Sequence, residues 1–157
     1  MNCATVLIVD DEPFARQAIA EWLREKNFHV FEADSGTQAM ERIQEDNMDI
    51  VISDMVMPGM DGLQLLKKAK AAKVDIPFLM VTGYPSHAAA IKVMQEGASD
   101  YLAKPFTPEE LMHRVSRTLM LKALDKPLAS VRGIILGAAL SAVMWMLIIG
   151  ALSALLR

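Results

Sequence analysis

Five short apolar runs, alternating with five longer segments of helical spacing, predict an α/β domain built on a doubly wound parallel sheet. Two features of the runs support this. Each is rich in Val, Ile, Leu or aromatic residues, and most lack the polar alternation of a sheet with one wet face, as strands buried on both faces do. The connections between runs and helical segments are also short.

The elements follow in order along the chain. The first strand is "TVLIVD", residues 5–10, and Pro13 suits the first position of the helix after it. Ala15, Ala18, Ile19, Trp22 and Leu23 recur at the three- and four-residue spacing of one helix face. "HVFEA" is the second strand, with Ser35 placed to cap the next helix. "DIVISD" is the third strand, ending on Asp54; Met57-Pro58-Gly59 then turns the chain and Asp61 caps a helix carrying Leu65, Leu66 and Ala69. "PFLMVT" reads as the fourth strand, and His87, Ala90, Ile91 and Met94 as the apolar stripe of the fourth helix, which Gly97 ends. "DYLAK" is the fifth strand, and Leu111, Val115 and Leu119 mark the last helix.

Composition narrows the function. A formal net charge of −3 and no long basic run leave no nucleic-acid footprint, so no nucleic-acid partner is expected. Cys3 is the only cysteine, which excludes an intrachain disulfide and a thiolate metal cluster. His29, His87 and His113 are far apart and make no ligand pattern. The N-terminus has no basic stretch leading into an apolar run, so a cytoplasmic setting is expected for the N-terminal domain.

The chain is 53% apolar despite 22% charged residues, and the excess sits at its end. A Pro- and Ser-containing stretch, residues 125–132, reads as a linker. Residues 133–156 then run for 24 positions without a charge, long enough to cross a bilayer and apolar on every face. A single transmembrane helix over 133–156 is expected, after a domain over 1–124. Lys122, Lys126 and Arg132 before the span keep that domain cytoplasmic by the positive-inside rule. Gly133, Gly137 and Ser141, four residues apart, form a small-residue ridge through which two copies could pair.

Ligands of such a sheet gather at the carboxyl ends of its strands. The first strand ends on Asp10-Asp11-Glu12, the third on Asp54, the fourth on Thr82, and the fifth leads into Lys104-Pro105. Crowded carboxylates resist ionising unless a cation sits among them, and oxygen ligands without histidine or cysteine select Mg2+. A lysine and a hydroxyl beside them suit phosphoryl oxygens, and a carboxylate can itself become an aspartyl-phosphate.

Four segments, "LIVDDEP", "ISDMVMPGMDG", "LMVTGYP" and "DYLAKPF", stand in order at strand ends. Through them the chain from about residue 4 to 122 resembles the response regulator receiver domains of two-component signalling. The resemblance implies a flavodoxin-like sheet of order 2-1-3-4-5. It implies Asp54 as phosphoacceptor, and Mg2+ held by Asp10, Asp11, Asp54 and the backbone carbonyl of Val56. Lys104 would pair with the phosphoryl group, Thr82 and Tyr101 would be the switch pair, and the Lys104-Pro105 bond would be cis. Gly83 leaves room for a phosphodonor, and Val56 and Tyr84 occupy variable positions that tune dephosphorylation.

The expected function is a membrane-tethered receiver. It takes a phosphoryl group from a histidine kinase, a phosphotransfer protein or a small-molecule donor, and signals to a protein effector. It is not expected to be a turnover enzyme. An aspartate-nucleophile phosphohydrolase on a similar sheet is the enzyme alternative, but it wants an acid two residues after the nucleophile, where Val56 stands. A phosphorylation-independent membrane scaffold is the other, and the complete set of acids, Thr82 and Lys104 weighs against it.

Overall fold

The strands form one five-stranded sheet in the order β2-β1-β3-β4-β5 in a computed structural model of the chain, which describes residues 3–125. The elements are β1 (Thr5–Val9), α1 (Pro13–Glu25), β2 (His29–Ala33), α2 (Gly36–Glu45), β3 (Ile50–Asp54), α3 (Gly62–Ala71), β4 (Phe78–Thr82), α4 (His87–Gln95), β5 (Asp100–Ala103) and α5 (Pro108–Asp125). All four strand pairings are parallel. This is the flavodoxin-like order that the resemblance implies.

Burial follows position in the sheet. All five residues of β4 are buried, as are four of five in β1 and β3, while edge strands β2 and β5 bury only Ala33 and Leu102. The core divides into two layers. Leu7, Val51, Phe78 and Met80 face α2, α3 and α4, through Ala39, Ile43, Leu65, Leu66, Ala69 and Val93. Val6, Ile8, Ile50, Ile52, Leu79 and Val81 face α1 and α5, through Ile19, Ala20, Leu23, Leu111 and Val115. Alternate residues of each central strand thus serve opposite layers, so none can be polar without cost.

The helix starts are capped as expected. Ser35 Oγ accepts from Gln38 N–H, and Asp61 Oδ1 accepts from Gln64 N–H at 2.7 Å. Pro13 is the first residue of α1, and Gly97 follows α4 with φ +93°. Gly62 is required by close approach, since a Cβ there would overlap the Asp54 carbonyl oxygen. The start of α3 is thereby pressed against the end of β3.

The predicted stripe of α4 is corrected. His87, Ile91 and Met94 are exposed and Ala90 only half-buried; Val93 is the one buried residue of the helix. Val93 alone fills the layer under α4, and apolar Ile91 and Met94 are left facing out. Asp125, expected to open the linker, is the last residue of α5, and the compact unit closes at Lys122. Residues 126–132, the apolar run 133–156 and its ridge of Gly133, Gly137 and Ser141 lie outside the described residues. Among those described, no helix is long and apolar enough to cross a membrane.

Candidate functional site

Parallel pairing brings the carboxyl ends of β1, β3, β4 and β5 to one edge. Val9 aligns with Ser53, Asp54 with Val81, and Thr82 with Ala103, so the residues just beyond each strand share a rim. An open cavity of about 280 Å3 lies there, lined by Asp10, Asp11, Glu12, Asp54, Val56, Gly83, Tyr84 and Lys104.

Lys104 is the centre of the site. Its Nζ donates to Asp10 Oδ2 at 2.7 Å and to Asp54 Oδ2 at 2.5 Å, joining residues 94 and 50 positions apart in the chain. Side-chain exposure rises from 3% at Asp10 through 12% at Asp54 to 23% at Lys104, so Asp10 anchors the group while Asp54 still reaches solvent. Burial disfavours the ammonium, but the hydrogen bonds and charges of Asp10 and Asp54 outweigh it and raise the Lys104 pKa above the ordinary lysine value. The backbone holds Lys104 in place: its N–H donates to the Thr82 carbonyl at 2.7 Å, and the Lys104-Pro105 bond is cis, as expected.

The remaining carboxylate oxygens meet their own loops. Glu12 N–H donates to Asp10 Oδ1 and Val56 N–H to Asp54 Oδ1, both at 2.9 Å. Asp11 lines the cavity with its residue exposed. Val56 and Tyr84, in the loops after β3 and β4, and Phe14, the second residue of α1, are exposed apolar residues.

The donor chemistry suits a hard divalent cation. Asp10, Asp11, Asp54 and the Val56 carbonyl offer oxygen alone, the set that favours magnesium over softer metals. Among the described residues no ready-made cluster of three acidic, histidine or cysteine side chains surrounds a metal position. Two of the carboxylates are instead spanned by the Lys104 ammonium, so the resting electrostatics of the pair are set by lysine.

The two residues expected to act as a switch sit on neighbouring strands, Thr82 on β4 and Tyr101 on β5. Thr82 is buried at the end of β4, and its Oγ1 accepts from Tyr84 N–H at 3.2 Å. Tyr101 packs against the α2–α4 layer, and its hydroxyl oxygen is enclosed with no hydrogen-bond partner among the described residues. Its neighbour Asp100 is held by Arg114 and Arg117 of α5.

One residue was missed in the sequence. Arg16 Nη1 donates to the Asp10 backbone carbonyl at 2.6 Å, and its Nε lies 3.5 Å from Glu32, which Arg24 also holds at 2.9 Å. The acid-bearing turn is therefore braced from α1 and β2. Arg16 falls outside the apolar stripe of α1, and only its six-residue separation from Asp10 could have signalled the contact.

Comparison with known proteins follows the same geometry. A family model described as the response regulator receiver domain matches residues 6–116. The C4-dicarboxylate transport transcriptional regulatory protein DctD of Rhizobium meliloti is 38% identical over 113 residues, 72% of this chain and 25% of that protein. The transcriptional regulatory protein ResD of Bacillus subtilis is 32% identical over 118 residues, 75% of this chain and 49% of that protein. The chain thus spans about half or less of the length of these curated relatives. Among solved structures, a receiver domain protein from Clostridium thermocellum is 32% identical with a TM-score of 0.73, covering 77% of this chain and 98% of its own. A Francisella receiver domain is 30% identical with a TM-score of 0.72, covering 74% of this chain and 97% of its own.

Proposed function

The chain belongs to the response regulator receiver domain family, and from that premise we propose that Asp54 accepts a phosphoryl group and passes the signal on as a change of shape. The observation that carries the reading is the Lys104 ammonium held between Asp10 and Asp54 on the rim of an open cavity. It keeps the acceptor carboxylate oriented and supplies positive charge where phosphoryl oxygens would arrive.

In the transfer, an Asp54 Oδ attacks phosphorus in line. The bond to the donor, a histidine nitrogen of a kinase or phosphotransfer protein or an oxygen of a small acyl phosphate, breaks as it does. Its electrons leave with the donor: a histidine nitrogen then takes a proton from solvent, and an acyl phosphate leaves as its carboxylate. Lys104 stays beside Asp54 and pairs with a phosphoryl oxygen. Asp10, Asp11, Asp54 and the Val56 carbonyl would hold a magnesium ion, whose charge neutralises the phosphoryl oxygens. Thr82 would offer its hydroxyl to the new group, drawing on the loop that Tyr84 N–H now ties to it, and Tyr101 would repack with it. The domain modifies itself and turns over no external substrate.

Output is assigned to a protein effector. The uncharged run 133–156 supports a single-pass tether with the receiver on the cytoplasmic side. Its Gly133, Gly137 and Ser141 support pairing of two copies.

The test of the acceptor is direct. Full-length chain with magnesium and a labelled histidine-kinase donor gains an acid-stable, hydroxylamine-labile phosphate, and Asp54→Asn does not. Equal labelling of Asp54→Asn overturns the assignment. For the tether, resistance of the full chain to alkaline carbonate extraction is expected, and its release refutes the span.

A further inference from the structure

The strongest charged feature outside the acceptor site lies at the other end of α3. Lys67, Lys68 and Lys70, with Lys73 just past the helix, are exposed, and no acid interrupts residues 62–74. A helix dipole accounts for a lysine or two in the last turn. Four without an intervening acid make a surface field.

The acids that approach this cluster are already engaged. Glu96, at the end of α4, binds Lys67 at 2.8 Å. Asp75 binds Lys122 of α5; that contact holds its carboxyl below the usual range, and Lys70 nearby adds to the effect. Lys70 also lies across the end of α4, where a Cβ on Gly97 would stand 3.4 Å from its Cε. The ends of α3, α4 and α5 therefore meet around these lysines. Lys68, Lys70 and Lys73 have no acidic partner among the described residues.

The location matters as much as the charge. The start of α3 presses on Asp54, and the helix runs for ten residues, about 15 Å, away from it. The cluster thus sits at the end of the domain opposite the acceptor. It is also where α5 closes, through Lys122 and Asp75, and α5 ends eight residues before the uncharged run begins. Eight extended residues reach at most about 28 Å.

We propose that Lys68, Lys70 and Lys73 form a face that lies against the anionic headgroups of a bilayer, holding the receiver with Asp54 turned away from the membrane and open to its donor. The face rests on the tether reading, which keeps a bilayer within reach. Lysines beside a membrane anchor are drawn to anionic lipid and released by salt.

The experiment uses the full chain reconstituted in vesicles of phosphatidylcholine alone or with added phosphatidylglycerol. Flotation reports the tether, and amine-reactive labelling read by mass spectrometry, as the labelled fraction of each lysine, reports the face. The labelled fraction of Lys68, Lys70 and Lys73 falls several-fold on the anionic vesicles and recovers in high salt. Flotation is the same on both. The variant carrying Lys68→Glu, Lys70→Glu and Lys73→Glu floats equally, but its Lys67 and Lys122 show no lipid dependence.

Flotation on both lipids with identical labelling overturns the face and leaves the tether standing; a face made for an acidic protein gives this result. Flotation on anionic vesicles alone, lost in the triple variant, overturns the tether and keeps the face as the membrane contact. Flotation on neither overturns both.

Discussion

Lys104 Nζ lies 2.5 Å from Asp54 Oδ2, so the one cation lining the cavity among the described residues is hydrogen-bonded directly to the proposed acceptor. Replacing Lys104 with Met leaves Asp10 and Asp54 facing each other without an intervening cation. The variant is expected to lose about 1–3 kcal/mol at neutral pH. Because the folded-state pKa of Lys104 is raised, its stabilisation is complete below the ordinary lysine value of 10.5 and is lost as pH climbs through the raised value. Urea midpoints between neutral and strongly alkaline pH therefore converge for wild type and Lys104→Met. A constant gap across that range refutes the linkage.

Arg16→Ala removes the donor to the Asp10 carbonyl and the partner of Glu32. A loss of about 1.5–3 kcal/mol is expected, with weaker phosphate uptake at Asp54. Arg16→Lys should recover little of either, since one ammonium cannot reproduce the fork that meets two acceptors. Full rescue by lysine would show that charge alone is needed.

Gly62→Ala puts a methyl group into the Asp54 carbonyl oxygen, whereas a Cβ at Gly83 meets nothing within 4 Å. The first is expected to cost about 2 kcal/mol or more, the second within about 0.5 kcal/mol of zero. Chemical denaturation of the two alanine variants compares them, and a benign Gly62→Ala would deny the close approach.

Val93→Ala and Ile91→Ala separate the two faces of α4. Val93 is fully buried and Ile91 is 58% exposed. The buried change is expected to cost about 1–3 kcal/mol and the exposed one within about 0.5 kcal/mol of zero. The reverse order would restore the stripe read from sequence.

Tyr101→Phe deletes a hydroxyl that is enclosed without a partner among the described residues. A buried, unpaired polar group costs about 1–3 kcal/mol, so the variant should be more stable by a comparable amount. The gain should shrink on phosphorylation if the repacked tyrosine finds a hydrogen bond there. Thermal melts of both forms decide it.

Much of the fold was legible because central strands and helix caps obey local rules. β1, β3 and β4 declare themselves as unbroken apolar runs, and Ser35, Asp61 and Gly97 mark helix ends by their own side-chain or backbone chemistry. α4 misled because it carries apolar residues on two faces, and periodicity alone favours the larger group over the lone Val93 that packs. The acids, Thr82 and Lys104 were legible as strand ends. Their connections were not: that Thr82 Oγ1 meets Tyr84 N–H, that the Tyr101 hydroxyl is enclosed, and that Arg16 braces Asp10 all depend on side-chain directions that spacing does not encode.

The bridge from Lys104 to Asp10 closes almost the full length of the domain, and it has a consequence for biogenesis. Asp10 and Asp54 leave the ribosome long before Lys104, and contacts of such separation form only when the intervening strands have paired. A nascent or truncated chain ending before β5 carries the proposed acceptor Asp54 but not the Lys104 ammonium. On the proposed function, competence to receive a signal arrives with the last strand, as a property of the finished domain.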